Sequence, residues 1–114
     1  MKIVIIDDET DICFILAFEL KLKGFSPITF HSALEAKKYF ETDTADAVIC
    51  DFQMPKMSGL ELFNWLQSRG VKVPFYILTG ELNMDSLQLL NHGISDVLYK
   101  PHDLKKIPTL LNSI

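Results

Sequence analysis

The sequence predicts an α/β protein with a doubly wound, five-stranded parallel sheet. Short apolar runs alternate five times with helix-length segments, and this alternation calls for right-handed crossovers that place helices on both faces of a sheet. The chain has 114 residues, of which 48% are hydrophobic and 23% charged, so we expect one packed domain over residues 1–114 rather than a disordered chain.

The five predicted strands are short and rich in β-branched or aromatic residues, as strands buried on both faces usually are. Each run is bounded by glycine, proline or polar turn residues. The predicted strands are Lys2–Ile6, Ser26–Phe30, Ala47–Cys50, Phe75–Leu78 and Asp96–Tyr99.

The first helical segment is apolar nearly all round, from Ile12 to Phe18. Only one side of a helix can face the sheet. With Ile12, Ile15 and Leu16 on that side, Phe14 and Phe18 lie one turn apart on the outside. Two expectations stay open for Phe14 and Phe18: the last helix covers them, or they form an exposed surface for a partner.

The other helices carry start and stop signals. Ser32 and Ser58 each precede a glutamate by three residues, the capping-box pattern of a helix start. Gly24, Gly70 and Gly93 follow the first, third and fourth helical segments, where a left-handed residue is favoured. In the last segment Pro108 lacks an N–H donor, so either a single turn precedes it or the helix begins there.

Composition excludes several classes of function. The formal net charge of −4 has the wrong sign for direct nucleic-acid binding. The chain has no apolar run near the ~20 residues of a membrane-spanning helix and no secretory signal at Met1, so we expect a cytoplasmic protein without membrane insertion. Cys13 and Cys50 are too far apart for a CxxC motif and are expected to be core thiols.

Polar residues follow four of the predicted strands, at the edge of a parallel sheet where ligands bind. Clustered carboxylates without histidine or thiolate favour Mg²⁺, and a nearby lysine and threonine favour the handling of a phosphoryl group. Acids at loop starts are often only helix caps, but agreement among four strand ends favours a site. The residues are Asp7, Asp8, Glu9, Asp51, Thr79, Gly80, Lys100 and Pro101.

These motifs resemble the receiver domain of two-component response regulators. The resemblance rests on Asp7-Asp8, the stretch from Asp51 to Gly59, Thr79-Gly80, and the stretch from Gly93 to Pro101. It covers essentially the whole chain, and it implies a flavodoxin-like (βα)5 fold with strand order 2-1-3-4-5.

The resemblance implies a role for each site residue. Asp51 would accept a phosphoryl group from a phosphohistidine on a histidine kinase or phosphotransfer protein. Asp8 and Asp51 would bind Mg²⁺ through their side chains, Gln53 through its backbone carbonyl and Asp7 through a water; Mn²⁺ is expected to substitute. Lys100 and Thr79 would bind the phosphoryl group, and such a domain would catalyse only its own phosphorylation and dephosphorylation.

The resemblance also assigns residues that tune or report the phosphorylated state. Gly80 would leave access open, Gln53 and Glu81 would orient water for a short-lived phosphoryl state, and Pro101 would follow a cis peptide bond. Receivers usually carry Phe or Tyr three residues before the lysine, but this chain has Val97, whose β-branched side chain has little rotamer range. Tyr99 is a candidate substitute because alternate strand residues face the same way.

Partners and alternatives follow from the same residues. Kinases and phosphotransfer proteins dock on the first helix in this family, which makes Phe14 and Phe18 a candidate partner surface. Two alternatives remain: a degenerate receiver that acts only by docking, and an aspartyl-phosphate hydrolase, which Gln53 disfavours because that class places a second acid there. We expect a monomer or weak dimer; the downstream target, and whether the native chain is longer, stay open.

Overall fold

The computed structural model describes residues 1–81 and 84–114. Its five strands form one parallel sheet in the order β2-β1-β3-β4-β5, which confirms the predicted fold class and strand order. The strands are β1 (Lys2–Ile6), β2 (Ser26–Phe30), β3 (Ala47–Asp51), β4 (Phe75–Thr79) and β5 (Asp96–Tyr99).

Helices follow each strand in the described part of the chain. A 3₁₀ helix at His102–Lys106 precedes the last α-helix, whose first turn contains Pro108, a position where the missing N–H would have no partner in any case. The α-helices are α1 (Thr10–Leu22), α2 (Ala33–Phe40), α3 (Gly59–Ser68), α4 (Ser86–Asn91) and α5 (Ile107–Asn112).

Two strands extend one residue further than predicted. Asp51 pairs with Leu78, and Thr79 pairs with Tyr99 on the neighbouring strand. Asp51 and Thr79 are therefore held by the sheet ladder itself rather than by the loops that follow it. A strand fixes a functional side chain more firmly than a loop does.

The sheet separates two hydrophobic clusters, because successive side chains of a strand point to opposite faces. Val4 and Ile6 pack with residues of α2, α3 and α4 on one face. Ile3 and Ile5 pack with residues of α1 and α5 on the other. Both faces are thus covered, as the predicted double winding requires.

The helix signals are confirmed in most details. Ser58 and Glu61 form the reciprocal capping box of α3. At α2 the Ser32 hydroxyl accepts a hydrogen bond from the Glu35 N–H, but the Glu35 carboxylate accepts from the N–H of His31 rather than of Ser32. The helix start was therefore correct and the full box at α2 was wrong. The three predicted glycines have positive φ: Gly24 at 92°, Gly70 at 76° and Gly93 at 108°.

The inner face of α1 differs from the one expected. Cys13, Leu16 and Leu20, spaced three and four residues apart, are buried, whereas Ile15 is 54% exposed. The expectation for Ile15 was wrong because an almost uniformly apolar helix carries no polar stripe that fixes its rotation. Phe14 and Phe18 do lie outside, 72% and 59% exposed, so α5 does not cover them. Among the described helices, none combines the length and apolar character needed to cross a membrane.

Candidate functional site

Three carboxylates meet at the carboxyl ends of β1 and β3, which are neighbours in the sheet. One oxygen from each of Asp7, Asp8 and Asp51 lies within 4.8 Å of the others. Asp7 and Asp51 are buried and Asp8 is exposed. Hard oxygen ligands with one side open to water suit Mg²⁺, which keeps several of its own waters. This donor set fits the predicted ion.

Lys100 reaches the same cluster from the end of β5. Its Nζ lies 2.9 Å from Oδ2 of Asp7, 2.8 Å from Oε1 of Glu9 and 3.3 Å from Oδ1 of Asp51. Its side chain is only 10% exposed. Burial alone would lower the pKa of Lys100, but hydrogen bonds to Glu9 and Asp7 and the charge of Asp51 raise it above its ordinary value, so the ammonium is charged.

The surroundings of Asp51 disfavour the ionised form of its carboxyl group. Burial and the neighbouring charge of Asp7 raise its pKa to about 7, although Lys100 acts in the opposite direction. One ammonium does not offset the clustered acids, so the pocket carries excess negative charge. A divalent cation would offset most of this excess, which is a second reason why the residues fit Mg²⁺.

Most of the predicted site residues line one shallow pocket of about 330 Å³, whereas Asp7 is fully buried and Pro101 lies outside the lining. At its wall the Thr79 hydroxyl accepts a hydrogen bond from the N–H of Glu81 at 3.0 Å, which holds this oxygen at the end of β4. A Cβ on Gly80 would meet nothing within 4 Å, so this wall is open. The pocket is lined by Asp8, Glu9, Asp51, Gln53, Thr79, Gly80, Glu81 and Lys100.

Two buried thiols support the backbone of the acidic residues. The S–H of Cys13 donates to the carbonyl of Asp7 at 3.3 Å, and the S–H of Cys50 donates to the carbonyl of Asp51 at 3.3 Å. Burial raises the pKa of Cys13 to about 11 and that of Cys50 well above its ordinary value. Both cysteines are buried core thiols, as predicted.

Val97 and Tyr99 lie on the same face of β5, as strand alternation predicted, and both pack against the cluster that contains α3 and α4. Val97 is 7% exposed and Tyr99 is half-buried. Tyr99 pairs in register with Thr79, so this aromatic residue, rather than Val97, stands directly beside the site threonine. The peptide bond between Lys100 and Pro101 is cis.

Phe14 and Phe18 are not part of the acidic pocket. They stand on the outer face of α1 with their rings stacked, 6.4 Å between centroids and 14° between planes. Ile15 and Leu22 on the same helix are also exposed. In the part of the chain that the structure describes, α1 thus presents an exposed apolar surface, and its role as a partner surface stays a prediction.

Two contributors to the site were missed or left without a role by sequence reasoning. The first is Gly59, the first residue of α3, which lies against the carbonyl of Asp51. A glycine just inside a capped helix is a signal that could have identified it. The second is Glu9, which binds Lys100. The chain position of Glu9 beside two acids gave no sign of that contact.

Comparison with known proteins agrees with this geometry. The family model described as the response regulator receiver domain matches residues 3–112. The chain belongs to this family. The five-stranded parallel sheet and its covering helices are accordingly the fold of a response regulator receiver domain.

Relatives of the receiver domain include the alkaline phosphatase synthesis transcriptional regulatory protein PhoP of Bacillus subtilis, which is 29% identical over 99% of this chain and 48% of its own. The response regulator MprA of Mycobacterium avium is 31% identical over 94% of this chain and 47% of its own. The chain therefore spans about half the length of these relatives.

A solved structure of a response regulator shares the fold of this chain. The response regulator TrrA of Thermotoga maritima, crystallised with Mg²⁺ and BeF, is 25% identical, covers 98% of this chain and 96% of its own, and has a TM-score of 0.86. That protein thus binds Mg²⁺ together with a fluoroberyllate group.

Proposed function

We propose that this receiver domain accepts a phosphoryl group on Asp51 from a phosphohistidine of a histidine kinase or phosphotransfer protein. The observation that carries the proposal is the position of the Asp51 carboxylate, within 4.8 Å of Asp7 and Asp8 and 3.3 Å from the Lys100 ammonium. The N–P bond of the donor breaks as a carboxylate oxygen of Asp51 bonds to phosphorus. The product is an acyl phosphate, and water later hydrolyses it to inorganic phosphate.

The charges around Asp51 suit this transfer. A carboxylate attacks an anionic phosphoryl group poorly unless the negative charge is neutralised and the groups are aligned. Lys100 supplies one fixed positive charge. Mg²⁺ bound by Asp8 and Asp51, with the Gln53 carbonyl and with Asp7 acting through a water, would neutralise the phosphoryl oxygens; Mn²⁺ has the same ligand preference and is proposed to substitute.

The remaining pocket residues are assigned to binding and turnover. The Thr79 hydroxyl lies on the pocket wall and is proposed to donate to a phosphoryl oxygen. Gly80 keeps the wall open, so donors and water reach Asp51. Glu81 and Gln53 line the same pocket and are proposed to orient the hydrolytic water, which makes the phosphoryl state short-lived.

The readout is proposed to run through Thr79 and Tyr99 instead of the aromatic that receivers usually carry at the position of Val97. Tyr99 is the register partner of Thr79 and is half-buried, so a shift of the threonine changes its packing. Val97 is buried and compact and has little freedom to move. The expected result is that phosphorylation shifts the Tyr99 ring resonances and that Tyr99→Leu abolishes the response of neighbouring signals.

The test is intact mass after incubation with Mg²⁺ and acetyl phosphate. Wild-type protein is expected to gain one phosphoryl group, whereas Asp51→Asn protein and metal-free protein gain none. Asp11 supplies a matched control, because it is exposed and does not line the pocket. Asp11→Asn makes the same exchange of carboxyl for amide as Asp51→Asn, and this variant is expected to react like wild type.

The second candidate is a docking module that acts without phosphorylation, and the exposed aromatic surface on α1 favours it. Absence of the mass adduct under rapid quench, together with absence of fluoroberyllate binding, would reject phosphorylation and leave this candidate. A stable adduct on a residue other than Asp51 would also contradict the proposed acceptor.

A further inference from the structure

Glu9 makes a contact that its place in the chain does not require. It is the N-cap residue of α1, yet its side chain forms no capping hydrogen bond. Its backbone begins the hydrogen bonding of the helix, because its carbonyl accepts from the N–H groups of Ile12 and Cys13. The carboxylate is instead directed to Lys100, with Oε1 2.8 Å from Nζ.

The position of Glu9 is well fixed although its side chain is 62% exposed. Its N–H donates to Oδ1 of Asp7 at 2.9 Å, which ties the backbone of Glu9 to the buried acid. Among the described residues, two carboxylates lie closer to the Lys100 Nζ than that of Asp51 does. They are the buried Asp7, at 2.9 Å, and the solvent-exposed Glu9, at 2.8 Å. Glu9 therefore holds the ammonium toward the mouth of the pocket.

We propose that Glu9 is a positioning residue that retains the Lys100 ammonium in the unphosphorylated domain and must release it before Lys100 can bind a phosphoryl group on Asp51. This inference rests on the proposed function. A buried acid and an exposed acid share one ammonium, and the exposed pair is the weaker contact because water competes for it. The Glu9 contact is thus the one that yields when a phosphoryl oxygen arrives.

If Glu9 retains Lys100, it slows phosphorylation of Asp51. Two substitutions distinguish this effect from simple repulsion between the Glu9 charge and the anionic donor. Glu9→Gln removes the charge and weakens the contact. Glu9→Asp keeps the charge but shortens the side chain by one methylene, which withdraws the carboxylate from Lys100 and leaves a good N-cap residue in place. Retention predicts that both variants react with acetyl phosphate about threefold to fivefold faster than wild type, the size of a lost exposed ion pair.

The experiment measures the rate of the mass adduct with acetyl phosphate at saturating Mg²⁺ for wild type, Glu9→Gln, Glu9→Asp and the control Asp11→Asn. Acceleration in both Glu9 variants supports the proposal. Acceleration in Glu9→Gln alone would show general repulsion of the anionic donor and overturn it. Unchanged or lower rates in both would overturn it as well. Circular dichroism checks that α1 is retained, as expected because the side chain of Glu9 does not cap it.

A second readout does not depend on phosphorylation. The ¹H–¹⁵N signal of the Lys100 ammonium, assigned by its loss in Lys100→Arg, is expected to shift and to exchange faster with water in both Glu9 variants and not in Asp11→Asn. An unchanged signal would overturn the retention of Lys100 by Glu9. If no variant gains a phosphoryl group, the proposed function fails, and this signal alone then decides whether Glu9 holds Lys100.

Discussion

Gly59 lies against the backbone carbonyl of Asp51, so close that a methyl group on Gly59 would overlap the carbonyl oxygen and come within 3.2 Å of Ile77 Cδ1. The N–H of Gly59 also donates to the carbonyl of Phe52 at 2.9 Å. The first turn of α3 is thereby packed directly onto the end of β3. The position of the proposed phosphoacceptor depends on a residue that carries no side chain.

Gly59→Ala is therefore expected to lower the free energy of unfolding by about 1 to 3 kcal/mol, the usual cost of overpacking, and to slow phosphorylation by displacing Asp51. Gly80→Ala is the matched control for stability, because the added Cβ would meet nothing within 4 Å; a change below about 0.5 kcal/mol is expected there. Urea unfolding measures the stability of both variants, and the mass adduct with acetyl phosphate measures the rate of phosphorylation. Equal stability of the two variants would contradict the close approach at Gly59.

The stability of metal-free protein is expected to fall as the pH rises from about 4 to about 7. The folded-state pKa of Asp51, about 7, is raised by burial and by Asp7 above the ordinary value of 3.8. A group with a raised folded pKa contributes stability below its unfolded pKa and loses it as the pH passes the folded pKa. Asp51→Asn, which stays neutral, should flatten this decline.

Urea unfolding in EDTA at pH 5 and pH 8 checks this expectation. At pH 8 Asp51→Asn is expected to be more stable than wild type by about 1 to 2 kcal/mol, a value reduced from the full linkage for solvent screening. At pH 5 most of that difference should vanish. A variant less stable than wild type at pH 8 would show that the ion pair with Lys100 outweighs the burial of the charge.

Mg²⁺ is expected to stabilise the folded domain at pH 8 by mass action. At a hundred times its dissociation constant an ion that binds only the folded state adds about 2.7 kcal/mol. Asp8 is exposed and offers a ligand atom to the cluster, so Asp8→Asn should leave the metal-free stability almost unchanged and remove most of the Mg²⁺ effect. Thermal unfolding with Mg²⁺ and with EDTA measures it, and Asp11→Asn should keep the full increment.

The aromatic surface on α1 is expected to affect docking and not folding. Phe14 is 72% exposed and Leu87 on α4 is 68% exposed, so Phe14→Ala and Leu87→Ala should each change stability by less than about 0.5 kcal/mol. With a phosphorylated histidine phosphotransfer domain that is active on wild type, Phe14→Ala should slow transfer about tenfold. Leu87→Ala should leave the rate of this transfer unchanged. With acetyl phosphate as the donor, both variants should react at the wild-type rate. Equal rates for all three proteins would reject this docking surface.

Much of the fold was predictable because its signals are local. The five strands, the capping serines and the glycines with positive φ each depend on a few neighbouring residues. The ends of β3 and β4 were missed by one residue, since Asp51 and Thr79 are held in the ladder by partners on other strands. The rotation of α1 was missed in part because Ile15 and Leu16 are equally apolar.

The order of the elements and the motifs at the strand ends were enough to predict the class of fold, the family and the residues that line the pocket, although Asp7 and Pro101, also predicted there, lie outside the lining. Residues that follow parallel strands converge at one edge, and this rule needs only the order of the elements. The tertiary structure alone decided which atoms touch. Glu9 and Lys100 are 91 residues apart, and their contact depends on the packing of α1 and β5 around the sheet, which no local pattern in the chain records.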